Sequence, residues 1–234
     1  MSTVKGKFIV LEGIDGVGKT SIQDRIVSIL EAQGKKVLNI NNIGEIGDST
    51  TILSRAIREK ISTRQVSNTL ELVYLYLASL VSVSKGMEGS RLSVDALLEE
   101  YDYVICSRWI YSTMVYGISS ATNTEEDNIV VELIESTYRY SSLSKPDLVI
   151  VVDADIEEVI ERLAVRDNIV DYFSASEKLR VYHERFRDID TYASKLFPYI
   201  SFTIDWNSNI MYVKNDDLDI AVIDAMNLIN KIGD

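Results

Sequence analysis

Short apolar runs alternate with longer amphipathic stretches along this chain. Phe8–Leu11, Lys36–Ile40, Tyr103–Cys106, Leu148–Val152 and Ile200–Ile204 are mostly rich in β-branched residues and lack clean alternation. Strands buried on both faces of a parallel sheet have this pattern. Parallel strands need crossover connections, and the helical stretches between the runs supply them. The pattern predicts an α/β fold with a five-stranded parallel sheet flanked by helices.

Two helices are plain. The first places Ile22, Ile26, Ile29 and Leu30 on one face and stops at Gly34. The second runs from about Ala175 to Leu196, with Leu179, Tyr182, Phe186, Ile189, Ala193 and Leu196 at spacings of three and four, and Pro198 ends it. A third stretch, Leu70–Val81, is apolar nearly all round and has to be covered on more than one side. Either it is a central core helix, or a lid or second subunit covers its far face. Ser119–Asp127 reads as a polar loop. The stretch 207–217 is a polar connection with an apolar interruption, Ile210–Val213, that the pattern leaves unassigned.

Composition narrows the function. The 234 residues, 46% apolar, suffice for one α/β domain spanning 1–234. A net charge of −12 argues against a nucleic acid or membrane-binding role, which needs a basic stripe, while a small anionic substrate sees only its local pocket. Cys106 is the only cysteine, so no intrachain disulfide forms and no cysteine cluster binds zinc; this suits the cytoplasm. The N-terminal apolar run is too short for a signal sequence, and Leu72–Val81 is too short to span a bilayer. His183, the only histidine, lies among charged residues and is expected to be solvated.

The chemistry starts at Gly13-Ile14-Asp15-Gly16-Val17-Gly18-Lys19-Thr20, which fits G-x-x-x-x-G-K-[ST] between an apolar strand and an amphipathic helix. The glycines let backbone amides converge on phosphate oxygens, and the helix N-terminus adds a favourable partial charge. Lys19 reaches the β- and γ-phosphates, and the Thr20 hydroxyl sits on Mg²⁺. ATP and Mg²⁺ are the expected cofactors. No N-K-x-D motif for reading guanine is present.

The run Phe8–Thr20, with its acidic residue inside the loop, resembles the opening of the thymidylate kinase family. Tyr103–Gly117 is similar to the family's third strand and D-R-[YW] segment, Pro146–Asp153 to its fourth strand, and Tyr182–Arg187 to the helix after its lid. The resemblance implies a three-layer P-loop kinase fold with a short lid near 166–175, commonly a homodimer. It implies transfer of the ATP γ-phosphate to a deoxynucleoside monophosphate, dTMP or a related pyrimidine. It also implies roles for residues at matching positions. Arg108 bridges donor and acceptor phosphates, and Asp15 touches the acceptor sugar. Tyr76 stacks on the base, Ser112 lines the base pocket, and Tyr116 crowds the ribose 2′ position. Arg166, with Arg162 one turn earlier, supplies the catalytic cation from the lid side. The loop Asn41–Ser49 after the second strand lacks the proline and the acceptor-phosphate arginine usual in the family, and Arg55 and Arg58, on the helix expected next, are the candidates to reach that phosphate.

Besides that loop, three positions depart from the family, and the first is Tyr172, where the lid usually carries an arginine. Ser107 stands where an aspartate helps hold Mg²⁺, leaving Glu12 and Asp153, at the ends of strand runs, as substitute metal ligands. Leu80 stands where an arginine reads the thymine carbonyl. Two alternatives therefore stay open: a deoxynucleoside kinase with Glu12 as base, and a nucleotide-binding regulator without transfer activity.

Overall fold

The structure is a computed structural model and describes residues 5–40, 45–46, 49–50, 57, 59–60, 69–85, 93–118, 125–141, 143–167, 172–196 and 209–233. Its centre is β1 (Lys7–Glu12), in which Phe8 to Glu12 are all buried. β1 runs parallel to β5 (Tyr103–Ser107) on one side and to β6 (Leu148–Asp153) on the other. β2 (Val37–Ile40) lies outside β5, and β7 (Ile210–Lys214) lies outside β6. The order β2-β5-β1-β6-β7 makes the five-stranded parallel sheet that the pattern predicts. A short antiparallel ribbon, β3 (Glu45–Ile46) with β4 (Ser49–Thr50), forms a second sheet.

The fifth strand is the unassigned interruption 210–214; the run Ile200–Ile204 lies outside the described residues. β7 alternates, burying Ile210 and Val213 and exposing Met211 and Tyr212, so it carries the signature of an edge strand rather than a central one.

α1 (Lys19–Ala32) buries Ile22, Gln23, Ile26, Val27 and Leu30. It ends as expected at Gly34, whose N–H bonds the Glu31 carbonyl while Lys35 N–H bonds that of Leu30. α2 (Thr69–Lys85) covers the Leu70–Val81 stretch and buries Val73, Leu77, Leu80 and Val83 against the core, while Tyr74 is half-exposed. The core helix α4 (Ile110–Gly117) packs on α2 and follows the short α3 (Val94–Leu97) and β5. α5 (Glu125–Ser141) begins within the stretch expected to be loop. α6 (Ile156–Asp167) follows β6.

The long helix expected from about Ala175 to Leu196 is two helices, α7 (Tyr172–Arg187) and α8 (Ile189–Leu196), separated at Asp188, whose carbonyl accepts from Tyr192 N–H. The apolar spacing continues across the break, which hides it in the sequence. α9 (Leu218–Gly233) closes the fold beside α1. Among the described residues no helix is long and apolar enough to cross a membrane.

Candidate active site

The carboxyl ends of β1, β5 and β6 meet at the point where the strand order reverses, the place where open α/β sheets bind ligands. The loop after β1 turns there under two steric constraints. Gly18 caps α1 in the left-handed region (φ 96°), and a Cβ on it would lie 2.2 Å from Asn215 Nδ2. Gly16 (φ 79°) lies against Leu163 of α6, whose Cγ would sit 2.8 Å from an added Cβ. Only glycine satisfies both the backbone and the space. Asn215 also donates from Nδ2 to the Val17 carbonyl (2.8 Å) and from its backbone N–H to the Asp153 carbonyl (2.7 Å), tying the loop to the end of β6.

Beside the loop lies a cleft of about 320 Å³. Lys19, Thr20 and Ser21 line its floor, Asp15, Ser107 and Arg108 one wall, and Arg162 and Arg166 another. Cations thus face the cleft from three elements. The Lys19 ammonium is buried and donates to the carbonyls of Gly13 (3.1 Å) and Ile14 (2.7 Å). Burial, then the neighbouring charge of Arg108, pushes its pKa down to about 7 despite Asp15 and Glu12.

Arg108 is the described non-glycine residue with positive φ, 68°. That conformation costs on the order of 1–3 kcal/mol and persists where the surroundings fix it. Here its N–H bonds the Leu11 carbonyl (2.9 Å), and its guanidinium turns across the loop. Nη1 donates to Gly13 O (3.4 Å) and Ser112 Oγ (3.1 Å), and Nη2 pairs with Asp15 Oδ1. Partial desolvation inside the loop favours a neutral Asp15, but the charges of Arg108 and Lys19 outweigh it and hold the carboxyl below its ordinary value. The Asp15 side chain is 60% exposed, so solvent screens this pair and it adds little stability.

Residues 11–216 match the family model described as thymidylate kinase. The chain belongs to the thymidylate kinase family. The thymidylate kinase of Orientia tsutsugamushi is 26% identical over 200 residues, 84% of each chain. That of Prochlorococcus marinus is 32% identical over 160 residues, 68% of this chain and 72% of that one. Among solved structures, thymidylate kinase from Candida albicans matches with a TM-score of 0.65 at 20% identity, covering 98% of this chain and 94% of that one. The Ehrlichia chaffeensis enzyme matches at 0.60 and 18%, covering 97% and 100%. At these identities the two structures share the fold.

The residues to which the thymidylate kinase pattern points fall into three groups. Lys19, Thr20, Asp15, Arg108, Arg162 and Arg166 share the cleft. Tyr76, Ser112 and Tyr116 sit around Arg108. The guanidinium carbon lies 5.1 Å from the Tyr116 ring centroid, and Tyr76 is close enough for the charges of Arg108 and Asp15 to act on its hydroxyl. Arg55 and Arg58 lie outside the described residues, as do 168–171 of the expected lid; its flanks are the end of α6 and the start of α7.

Glu12 and Asp153 have other partners and do not line the cleft. Glu12 is fully buried under the N-terminus of α4. It accepts from Trp109 N–H (2.7 Å) and Ser112 N–H (3.3 Å) at Oε1, and from Ser112 Oγ (2.5 Å) at Oε2. Burial raises its pKa, only partly offset by the Ser112 hydroxyl and the Arg108 charge. Asp153 pairs with His183 Nε2 (2.6 Å) and lies 3.6 Å from Arg187 Nε. His183 is therefore buried and partnered rather than solvated, because helix α7 packs its charged face onto the end of β6. Leu80 is fully buried in the core.

Three supporting residues escaped the pattern. Gln23 is fully buried, donates to the Ile40 carbonyl (3.1 Å) and to Asn39 Oδ1, and accepts from Ser107 Oγ (2.5 Å). Its position inside the apolar stripe of α1 was a readable signal, since a polar residue there needs partners. Asn215 and Leu163 act through contacts distant in sequence, which spacing does not reveal.

Proposed function

We propose that the protein transfers the γ-phosphoryl group of ATP to dTMP, giving ADP and dTDP. One observation carries this reading beyond family membership. Arg108, held in a left-handed conformation, touches the phosphate loop through Gly13 and the acceptor side through Ser112 with a single guanidinium. A planar fork with five donors suits two phosphate groups at once.

Phosphoryl transfer asks for positioning and charge stabilisation rather than covalent chemistry. The loop amides and the N-terminus of α1 take the donor phosphates, and Lys19 meets the bridging charge. Arg166 and Arg162 approach from α6, so developing charge on the transferring group is met from both sides. Asp15, kept ionised beside Arg108, takes the sugar hydroxyl of the acceptor, and Tyr76, Ser112 and Tyr116 enclose its base and ribose.

The donor set fits a magnesium ion that arrives with ATP. Thr20 and Ser107 line the cleft, and among the described residues no cluster of acidic, histidine or cysteine side chains forms a stand-alone metal site. When bound, magnesium would neutralise phosphate charge, and the Thr20 hydroxyl would hold it.

The same reading has one domain over 1–234 with its lid at 166–175, working in the cytoplasm as a homodimer, without nucleic acid or membrane partners. The half-exposed Tyr74 on α2 supports a covered outer face on that helix, and the net charge of −12 supports a small substrate. The deoxynucleoside kinase alternative asks Glu12 to act as base, and Glu12 is spent on α4. A coupled ADP-release assay over nucleosides and their monophosphates tests the proposal. Turnover with dTMP and none with thymidine is expected; thymidine turnover, or ATP binding without any turnover, would overturn it.

A further inference from the structure

We infer that Arg185 is a positioning residue for the acceptor side, acting through the C-terminus of α4. This rests on the reading that α4 borders the monophosphate site. α4 has only eight residues, too few to hold helical form by local bonding alone. Its N-terminus is capped by the Glu12 carboxyl group from β1, whose Oε1 accepts from the Trp109 and Ser112 N–H groups. Its other end meets Arg185, which stands on α7 and donates from Nη1 to the carbonyls of Val115 (2.9 Å) and Ile118 (2.6 Å). The last carbonyls of a helix have no intrahelical partner and attract a cation. One carboxyl group and one cation, from residues 173 positions apart, thus pin both ends of the same short helix.

What α4 carries makes the pinning functional. Ser112 and Tyr116 project from it, and Arg108 precedes it. The Tyr116 ring packs edge-on against Tyr182 (4.7 Å) and Phe186 (6.0 Å), the neighbours of Arg185 on α7. The Arg185 guanidinium is itself braced by the rings of Tyr192 (5.1 Å) and Tyr182 (6.0 Å). Neither α4 nor Arg185 lines the cleft beside the phosphate loop. Loosening α4 therefore displaces the acceptor groups and the Ser112 contact of Arg108, while Lys19 keeps its bonds to the loop carbonyls.

Arg185→Met and Arg185→Lys test this by steady-state kinetics and by amide hydrogen exchange of 110–118 against 19–32. Arg185→Met should raise KM for dTMP about tenfold, the worth of a charge-assisted hydrogen bond. It should leave KM for ATP within about twofold and speed exchange in 110–118 only. Arg185→Lys keeps a cation at the helix end and should recover most of the loss. Equal rises in both KM values, or unchanged KM for dTMP with unchanged exchange in α4, would overturn the inference. A wild-type protein that turns over no monophosphate would refute the acceptor reading and this inference with it. The exchange comparison distinguishes that outcome from failure of the clamp itself.

Discussion

Titrating ATP into the protein at pH 8 should draw nearly one proton out of the buffer. In the ligand-free site burial and Arg108 hold the Lys19 pKa at about 7, so at pH 8 about one tenth of the molecules carry the ammonium. A triphosphate beside the side chain favours the charged form and returns its pKa toward the ordinary value of about 10.4. Binding then takes up about 0.9 proton at pH 8, about 0.5 at pH 7 and almost none at pH 6. The sign follows: ATP affinity should fall with rising pH above 7, by up to about tenfold, or 1.4 kcal/mol, per unit. Isothermal titration in two buffers of different ionisation enthalpy measures the uptake, and Lys19→Met provides the baseline for protons taken by other groups. Equal uptake by wild type and Lys19→Met, or affinity flat between pH 7 and 9, would refute the reasoning.

Other consequences follow from the same contacts. Arg108→Lys keeps the charge but loses the fork, and should lower kcat by on the order of a hundredfold with the fold intact by circular dichroism. Glu12→Ala strands the Trp109 N–H under α4 and should cost about 2–4 kcal/mol, a loss measurable as a fall in the urea midpoint. The Asp153 pKa is lowered: burial opposes ionisation, but the His183 bond and the His183 and Arg187 charges prevail. Its stabilising effect is therefore full above the ordinary carboxylate range and disappears as pH falls through the lowered value. The stability gap between wild type and Asp153→Asn, about 2 kcal/mol at neutral pH, should shrink in urea titrations as pH falls from about 5 to 3. Leu80→Arg should destabilise the protein in a melting experiment, because this position is fully buried in the core.

The sheet was legible because its inner strands are buried on both faces and so are apolar throughout. β7 was not assigned, because an edge strand with Met211 and Tyr212 exposed resembles an interrupted loop. The phosphate loop was legible because its chemistry is local: glycines, lysine and threonine act within one turn. The Arg108 segment was visible as a pattern, but its left-handed backbone and its reach to Gly13 and Ser112 depend on β5 lying beside β1. Residues acting across the sheet stayed hidden for the same reason. Glu12 looked like a metal ligand because it ends a strand at the ligand-binding edge, and only the position of α4 shows where its oxygens are used. His183 looked solvated because its chain neighbours are charged, whereas its partner Asp153 comes from a strand 30 residues away.

The proposed transfer depends on one guanidinium, that of Arg108, reaching both the phosphate loop and the acceptor side. Initial-rate kinetics with ATP and dTMP varied together, for wild type and Arg108→Met, test it most directly. A sequential pattern is expected for the wild type, with kcat depressed by at least a hundredfold in the variant while ATP still binds within a few-fold of normal. A variant that turns over dTMP at the wild-type rate would remove Arg108 from that role.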